Sequence, residues 1–300
     1  MQKIKPANYV SKITVLGLLT TAIFILIFKL FEIEPTELLK LDQRWFWAAI
    51  IVTLFFPVFS SLRWFYLLEG ADIKVRFYDL FKMVWGAWIL SVIPGRLGDF
   101  ARVVGLPEHS NKTVALGTVF LEKVIDIFIL LAIGLAGLII IGNFKVSGVV
   151  LATMFAGCLC LITLGKIARL APKRFEEKIS LLKEALVKIK DRPSCLAKSA
   201  LSSFVNWMLS ILQVYFLFLA VGQTVSMTSI MAWLPISIFA GLIPITIAGM
   251  GTRDSALIYF FLPLATAGSI ITVGIWYSLL GYWVLSVVGF VFTRSLLKNS

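Results

Sequence analysis

Apolar stretches of spanning length punctuate the chain at about 13–31, 45–68, 124–143, 146–165, 199–221 and 271–293. About 20 consecutive apolar residues carry a helix across a bilayer, so these stretches predict six spanning helices. Two further apolar segments, 77–106 and 228–268, are left over, and each is broken internally. The first breaks at Pro94-Gly95-Arg96-Leu97-Gly98-Asp99. The second breaks at Pro244 and again at Gly249-Met250-Gly251-Thr252-Arg253-Asp254. Proline and glycine interrupt helices, so both segments predict a chain reversal within the apolar region. One segment has a different period. Phe175, Ile179, Leu182, Leu186 and Ile189 recur at helical spacing between lysines and glutamates, which predicts an amphipathic helix over about 172–191 lying along a membrane surface.

The charges between the apolar stretches orient them. Short loops rich in Lys and Arg stay on the cytoplasmic side. Residues 166–198 hold ten basic residues (Lys166, Arg169, Lys173, Arg174, Lys178, Lys183, Lys188, Lys190, Arg192, Lys198) against Glu176, Glu177, Glu184 and Asp191. That loop is predicted inside, as are the 69–82 segment with Lys74, Arg76 and Lys82 and both termini, which carry Lys3, Lys5, Lys12, Arg294 and Lys298. The 29–44 connection, with Glu32, Glu34, Glu37 and Asp42, and the uncharged 222–229 connection suit the outside. The 77–106 segment then starts and ends inside, and 228–268 starts and ends outside. Re-entrant helical hairpins satisfy that constraint. The expected fold is an all-α polytopic membrane protein with six spanning helices plus two re-entrant helical hairpins, arranged as an inverted repeat. It forms a single transmembrane domain over 1–300, with halves of about 1–144 and 145–300. The alternative is eight full spans with two kinked helices.

Composition agrees with this reading. The chain is 59% hydrophobic with a mean hydropathy of +0.95, more apolar surface than a soluble domain of 300 residues could cover. The net charge of +12 follows from the cytoplasmic loops and implies no nucleic-acid partner. His109 is the lone histidine, and Cys158, Cys160 and Cys195 sit in or beside apolar segments, so no metal site and no cofactor are expected. The apolar run after the N-terminal lysines lacks a small-x-small cleavage site and is expected to remain as the first span.

The chemistry concentrates at the two breaks. Between Lys198 and Arg294 only Arg253 and Asp254 carry charge. A charge at the bilayer centre costs at least ~2.5–3.5 kcal/mol on insertion scales, so such residues need a compensating role. Arg96, Asp99 and Arg102 follow the first break at three-residue spacing and are expected on one helix face. Thr252 is expected to cap a helix that starts at Arg253. Glu122 and Asp126 lie four apart on one face, so a cation is expected between them, with Arg96 or Arg102 the natural source. Arg96, Arg102, Lys123 and Arg253 balance Asp99, Glu122, Asp126 and Asp254. These charges read either as internal ion pairs holding the hairpins or as a binding site whose residues pair with one another when empty. Neither a P-loop, an H-E-x-x-H pair nor a G-x-S-x-G elbow occurs.

The same residues carry a family resemblance. Arg63-Trp64, then Ile93-Pro94-Gly95-Arg96-Leu97-Gly98-Asp99 with Arg102, resemble the R-W and P-G-R-x-G-E/D-x-x-R pattern of the lysylphosphatidylglycerol synthase transmembrane region, a flippase-like family that includes stand-alone UPF0104 proteins. Glu122-Lys123-Val124-Ile125-Asp126 is similar to its E-R-x-x-D, with Lys123 in place of arginine. The stretch from Ile243 to Asp254 is similar to its late P-x-x-x-x-G-x-G-x-R-E segment, with Asp for Glu. The resemblance implies movement of lipids between leaflets. The soluble aminoacyl-transfer domain of full-length synthases has no counterpart in this sequence.

The residues and the resemblance together predict a lipid translocase with no catalysis of its own. Its expected partner is a membrane lipid: a phospholipid, a hopanoid or a polyprenyl-linked glycolipid. The expected substrate-binding residues are Arg96, Asp99, Arg102, Glu122, Asp126, Arg253 and Asp254, with Arg96 and Arg253 holding the phosphate. Pro94, Gly95, Gly98, Pro244, Gly249 and Gly251 are expected to break the hairpins. The rivals are a membrane-embedded headgroup transferase and a non-catalytic partner subunit of a separate lipid-modifying enzyme.

Overall fold

The computed structural model describes residues 6–92, 97–108, 110–163, 173–243, 245–246 and 249–293, and among these there is helix and no strand. The helices, in chain order, are α1 (Pro6–Leu30), α2 (Gln43–Thr53), α3 (Phe56–Gly70), α4 (Phe77–Gly86), α5 (Leu97–Ala101), α6 (Lys112–Ile140), α7 (Phe144–Ile162), α8 (Lys173–Ile189), α9 (Pro193–Ala220), α10 (Met227–Gly241), α11 (Thr252–Phe261), α12 (Ala267–Ser278) and α13 (Leu285–Gly289). Among the described residues, five helical stretches are long and apolar enough to cross a membrane: 43–70, 112–140, 144–161, 193–220 and 267–292. The 25-residue α1 is compatible with the sixth span.

Burial is inverted relative to a soluble protein. Phe144, Phe155, Val149 and Val291 are exposed, whereas Arg63, Arg102, Glu122, Asp126, Arg253 and Asp254 are buried. Water would drive the reverse arrangement, but lipid tails solvate the apolar exterior and leave the charges to pair inside.

Local chemistry sets the helix ends. Asn111 accepts from the Thr113 and Val114 N–H groups and starts α6. Asn143 and Ser226 do the same for α7 and α10. Three boundaries differ from expectation. The span predicted from residue 124 begins at Lys112, because the capping Asn111 outweighs the charges Glu122 and Lys123 that were read as its entrance. The span predicted at 45–68 is two helices with a brief turn at Leu54–Phe55, just ahead of Pro57, which lacks an N–H. The amphipathic α8 does not rest its apolar face on lipid. Leu182, Ala185 and Ile189 are buried against the start of α6 and the end of α3, where a methyl at Gly117 would lie 2.2 Å from the Leu181 carbonyl oxygen.

The central helix is α9, which packs along α2 and α3 and touches α6, α10 and α12. The two expected hairpins are short-helix elements. In the first, α4 runs into a 3-10 turn over Ala87–Val92 and α5 follows; in the second, α10 and α11 are 15 and 10 residues long. None of these helices reaches the ~20 residues that a crossing requires. Each first arm packs against the span that follows the other hairpin. A methyl at Gly137 of α6 would lie 2.4 Å from the Ala232 nitrogen of α10, and a methyl at Gly289 of α13 would lie 2.4 Å from the Trp85 carbonyl oxygen of α4. This reciprocal packing is compatible with an inverted repeat.

Segments that the charge pattern assigns to the same side meet in the structure. Arg192 pairs with Asp72 at 2.5 Å and donates to the Glu69 carbonyl at 3.0 Å, joining two segments assigned to the inside. The Asp42 N–H donates to the Ala220 carbonyl at 2.8 Å, joining two assigned to the outside.

Candidate functional site

Three apolar spans each bring a polar side chain to mid-length. Asp126 is the central residue of α6, Asn206 lies at the middle of α9, and Tyr277 sits near the middle of the 267–292 span. At ~1.5 Å per residue, Asp126 is ~21 Å from either end of its helix. These residues line a cleft of about 120 Å³, together with Arg63, Trp88, Asp99, Arg102, Lys123, Trp207 and Tyr282.

The cleft wall is a neutral network of six charges. Arg63 on α3 forks between two carboxylates, with Nη2 2.6 Å from Glu122 Oε1 and Nη1 2.5 Å from Asp126 Oδ1. Arg102 donates to the other oxygen of Glu122 and lies over the Trp64 ring at 4.4 Å. The Trp64 indole is held by Thr118 at 3.0 Å. Lys123 pairs with Asp99 at 2.7 Å. Ser203 on α9 donates to Asp126 Oδ1 at 2.5 Å. Arg63 and Arg102 are 4% and 2% exposed, so the pairs exclude water and rely on charge-assisted hydrogen bonds.

A second cluster lies behind Tyr277. Arg253 donates to Asp254 Oδ1, to the Gly274 carbonyl at 2.8 Å and to Ser278 Oγ at 2.7 Å, and it stacks on the Tyr277 ring at 4.7 Å. Asp254 Oδ2 accepts from the Gly251 N–H at 2.9 Å. The Tyr277 hydroxyl is bonded to Ser210 at 2.8 Å and faces the cleft. The guanidinium of Arg253 therefore meets the cleft only through a ring.

The structure brings Asp99, Arg102, Glu122 and Asp126 together, as predicted, and corrects their pairing. The cation between Glu122 and Asp126 is Arg63, and Arg102 pairs with the other oxygen of Glu122. Asp99 and Arg102 do not share a helix face, because α5 ends at Ala101. Arg253 and Asp254 satisfy each other and do not line the cleft. Thr252 is the first residue of α11, and the cap is Gly251, whose φ of +100° a side chain would oppose. Gly249 also has positive φ, +73°, so the second break falls where the glycines predict it. Gly98 lies within α5. Pro94, Gly95, Arg96 and Pro244 are outside the described residues.

Sequence reasoning missed Arg63 as a site residue, although it is the one charge inside the 45–68 stretch. It also missed α9. Ser199, Ser203, Asn206, Ser210 and Gln213 recur at spacings of 4, 3, 4 and 3, a polar stripe on an apolar span. Among the described residues, Arg63 Nε, Arg102 Nε and Trp207 Nε1 are buried N–H donors without an acceptor, and all three belong to residues of the cleft. Unmet donors beside paired cations suit an anionic guest.

The family described as the lysylphosphatidylglycerol synthase TM region matches residues 14–289, nearly the whole chain. The chain belongs to this family. Among its relatives, a UPF0104 membrane protein of Pyrococcus horikoshii is 23% identical over 88% of this chain and 91% of its own length. Another, from Methanothermobacter thermautotrophicus, is 25% identical over 92% of each chain. A third, from Methanocaldococcus jannaschii, is 23% identical over 75% of this chain and 76% of its own. The region shared with the lysylphosphatidylglycerol synthase TM family holds both charge clusters and the apolar spans, so the chain is a multi-pass integral membrane protein of that family.

Proposed function

We propose that this protein is a lipid translocase. It moves a phosphate-bearing lipid or glycolipid between leaflets of the cell (inner) membrane, with both termini cytoplasmic. The observation that supports this most is the cleft among the spanning helices, walled by cations that are paired with carboxylates and still carry unmet N–H donors.

The headgroup phosphate enters the cleft beside Arg63, Arg102 and Trp207. Asp99, Glu122 and Asp126 are the partners of the cations when the cleft is empty, so no bare charge is left in the membrane after release. Acyl or prenyl tails remain in the bilayer, and the two halves rock about the site. The lipid is a phospholipid, a hopanoid or a polyprenyl-linked glycolipid, supplied by a separate lipid-modifying enzyme. No bond is made or broken by this chain: the Ser203 hydroxyl is committed to a carboxylate that Arg63 already neutralises.

The test is reconstitution into vesicles with a fluorescent phospholipid readout. Vesicles with protein should exchange the phospholipid between leaflets faster than protein-free vesicles, and Arg102→Gln should slow the exchange. Rates equal to those of protein-free vesicles would refute the proposal. Turnover of a headgroup donor by the purified chain would favour a transferase instead.

A further inference from the structure

The polar stripe of α9 continues beyond the cleft in both directions. It faces α2 and α3 in antiparallel register. Gln213 Nε2 donates to Thr53 Oγ1 at 2.7 Å near one end, and Ser203 meets the Asp126–Arg63 pair ten residues earlier. Near the other end Ser199 is wholly buried. From Ser199 to Gln213 is ~21 Å along the helix at ~1.5 Å per residue, most of the hydrocarbon thickness.

Two atoms on this seam are unsatisfied. Ser199 Oγ and Gln213 Oε1 are buried and have no hydrogen-bond partner, and both residues are 0% exposed. The Gln213 amide already bridges to Thr53, so its oxygen lies in the seam. Asn206 Oδ1, between them at the cleft, is a third. Lipid cannot bond these atoms, and leaving them bare is unfavourable, whereas water satisfies such groups in protein interiors. Packing alone does not call for them: leucine or alanine would fill the same helix–helix interface.

We infer that the seam between α9 and α2–α3 is a hydrated track that extends the cleft toward both faces, and that the polar headgroup slides along it when the two halves rock and open the seam. The headgroup part of this inference rests on the translocase reading. The hydration part rests only on the unsatisfied atoms. Water in the seam gives the headgroup a polar surface over the distance between the cleft and either interface, while the tails stay in lipid.

The experiment uses full-length protein in vesicles. Cys158, Cys160 and Cys195 are replaced by serine, and single cysteines are placed at Ser199, Asn206, Gln213 or, on the facing wall, Thr53. Controls sit on α9 away from the seam at the equally buried Ile211 and Val214. A small, water-soluble methanethiosulfonate is the probe, and labelling is read by mass. The expected result is labelling at the seam at least tenfold faster than at Ile211→Cys and Val214→Cys. Thr53→Cys provides a seam position on a second helix should Gln213→Cys disturb folding. Seam cysteines as inert as the controls would overturn the track, even if the vesicles move lipid. Reactive seam cysteines in vesicles that move no lipid would uphold the water and overturn the headgroup role together with the translocase reading. In vesicles that do move lipid, Ser199→Leu and Gln213→Leu should each slow movement tenfold or more while a phosphate-bearing lipid still binds the cleft. Unchanged movement in both would overturn the headgroup role alone.

Discussion

Arg63 separates a binding site from a scaffold. It holds Glu122 at 2.6 Å and Asp126 at 2.5 Å. In Arg63→Met, Glu122 keeps Arg102, but Asp126 is left with the Ser203 hydroxyl as its hydrogen-bond donor. An uncompensated buried charge of this kind destabilises by ~3–5 kcal/mol. Removing the stranded partner as well, in Arg63→Met/Asp126→Leu, should recover most of that loss, because apolar replacement of a whole buried pair is neutral or stabilising by ~1–4 kcal/mol. Transport should not recover. A hydrogen bond to a charged group is worth ~1.5–3 kcal/mol, so the double variant should bind a phosphate-bearing lipid roughly 10- to 100-fold more weakly. Stability is read from unfolding in detergent and movement from the vesicle assay. A double variant that is stable and moves lipid at the wild-type rate would show the pair to be scaffolding. A single variant as stable as wild type would refute the energetic argument itself.

Three further outcomes are expected. Arg253→Ala removes the partner of Asp254 and the bonds to Gly274 and Ser278, so it should destabilise the fold by ~3–5 kcal/mol, checked by unfolding; transport loss in a fully stable variant would instead give Arg253 a direct binding role. Gly117→Ala drives a methyl toward the Leu181 carbonyl and should destabilise by ~1–3 kcal/mol and speed proteolysis within α8, measured against wild type. Lys190→Cys should label only from the cytoplasmic side and Thr224→Cys only from the opposite side; the reverse would overturn the orientation.

Much of the architecture was legible beforehand because a bilayer is a demanding solvent. It requires long apolar runs and positive inside loops, and both are local properties of sequence. The glycines at 249 and 251 likewise announced their break, since a positive φ restricts residue type. Charges buried in apolar runs were conspicuous for the same reason, which is how Asp99, Arg102, Glu122, Asp126, Arg253 and Asp254 were found.

Partnership was not legible. Arg63 and Asp126 are 63 positions apart, and their meeting depends on how α3 and α6 are rotated about their own axes. The lone charge at Arg63 and the stripe from Ser199 to Gln213 were visible as patterns, but a helix wheel does not say which neighbour faces the stripe. Matching sequence positions also suggested that Arg253 would act beside Arg96. Packing placed Arg253 behind Tyr277 and gave it Asp254, Gly274 and Ser278 as partners. Sequence alone determined the apolar helices and the break at Gly249 and Gly251, because each follows from local composition. Only the tertiary structure decided which charges share the cleft, because side chains distant in sequence pair according to the close packing of helices at glycine contacts and not according to any local pattern.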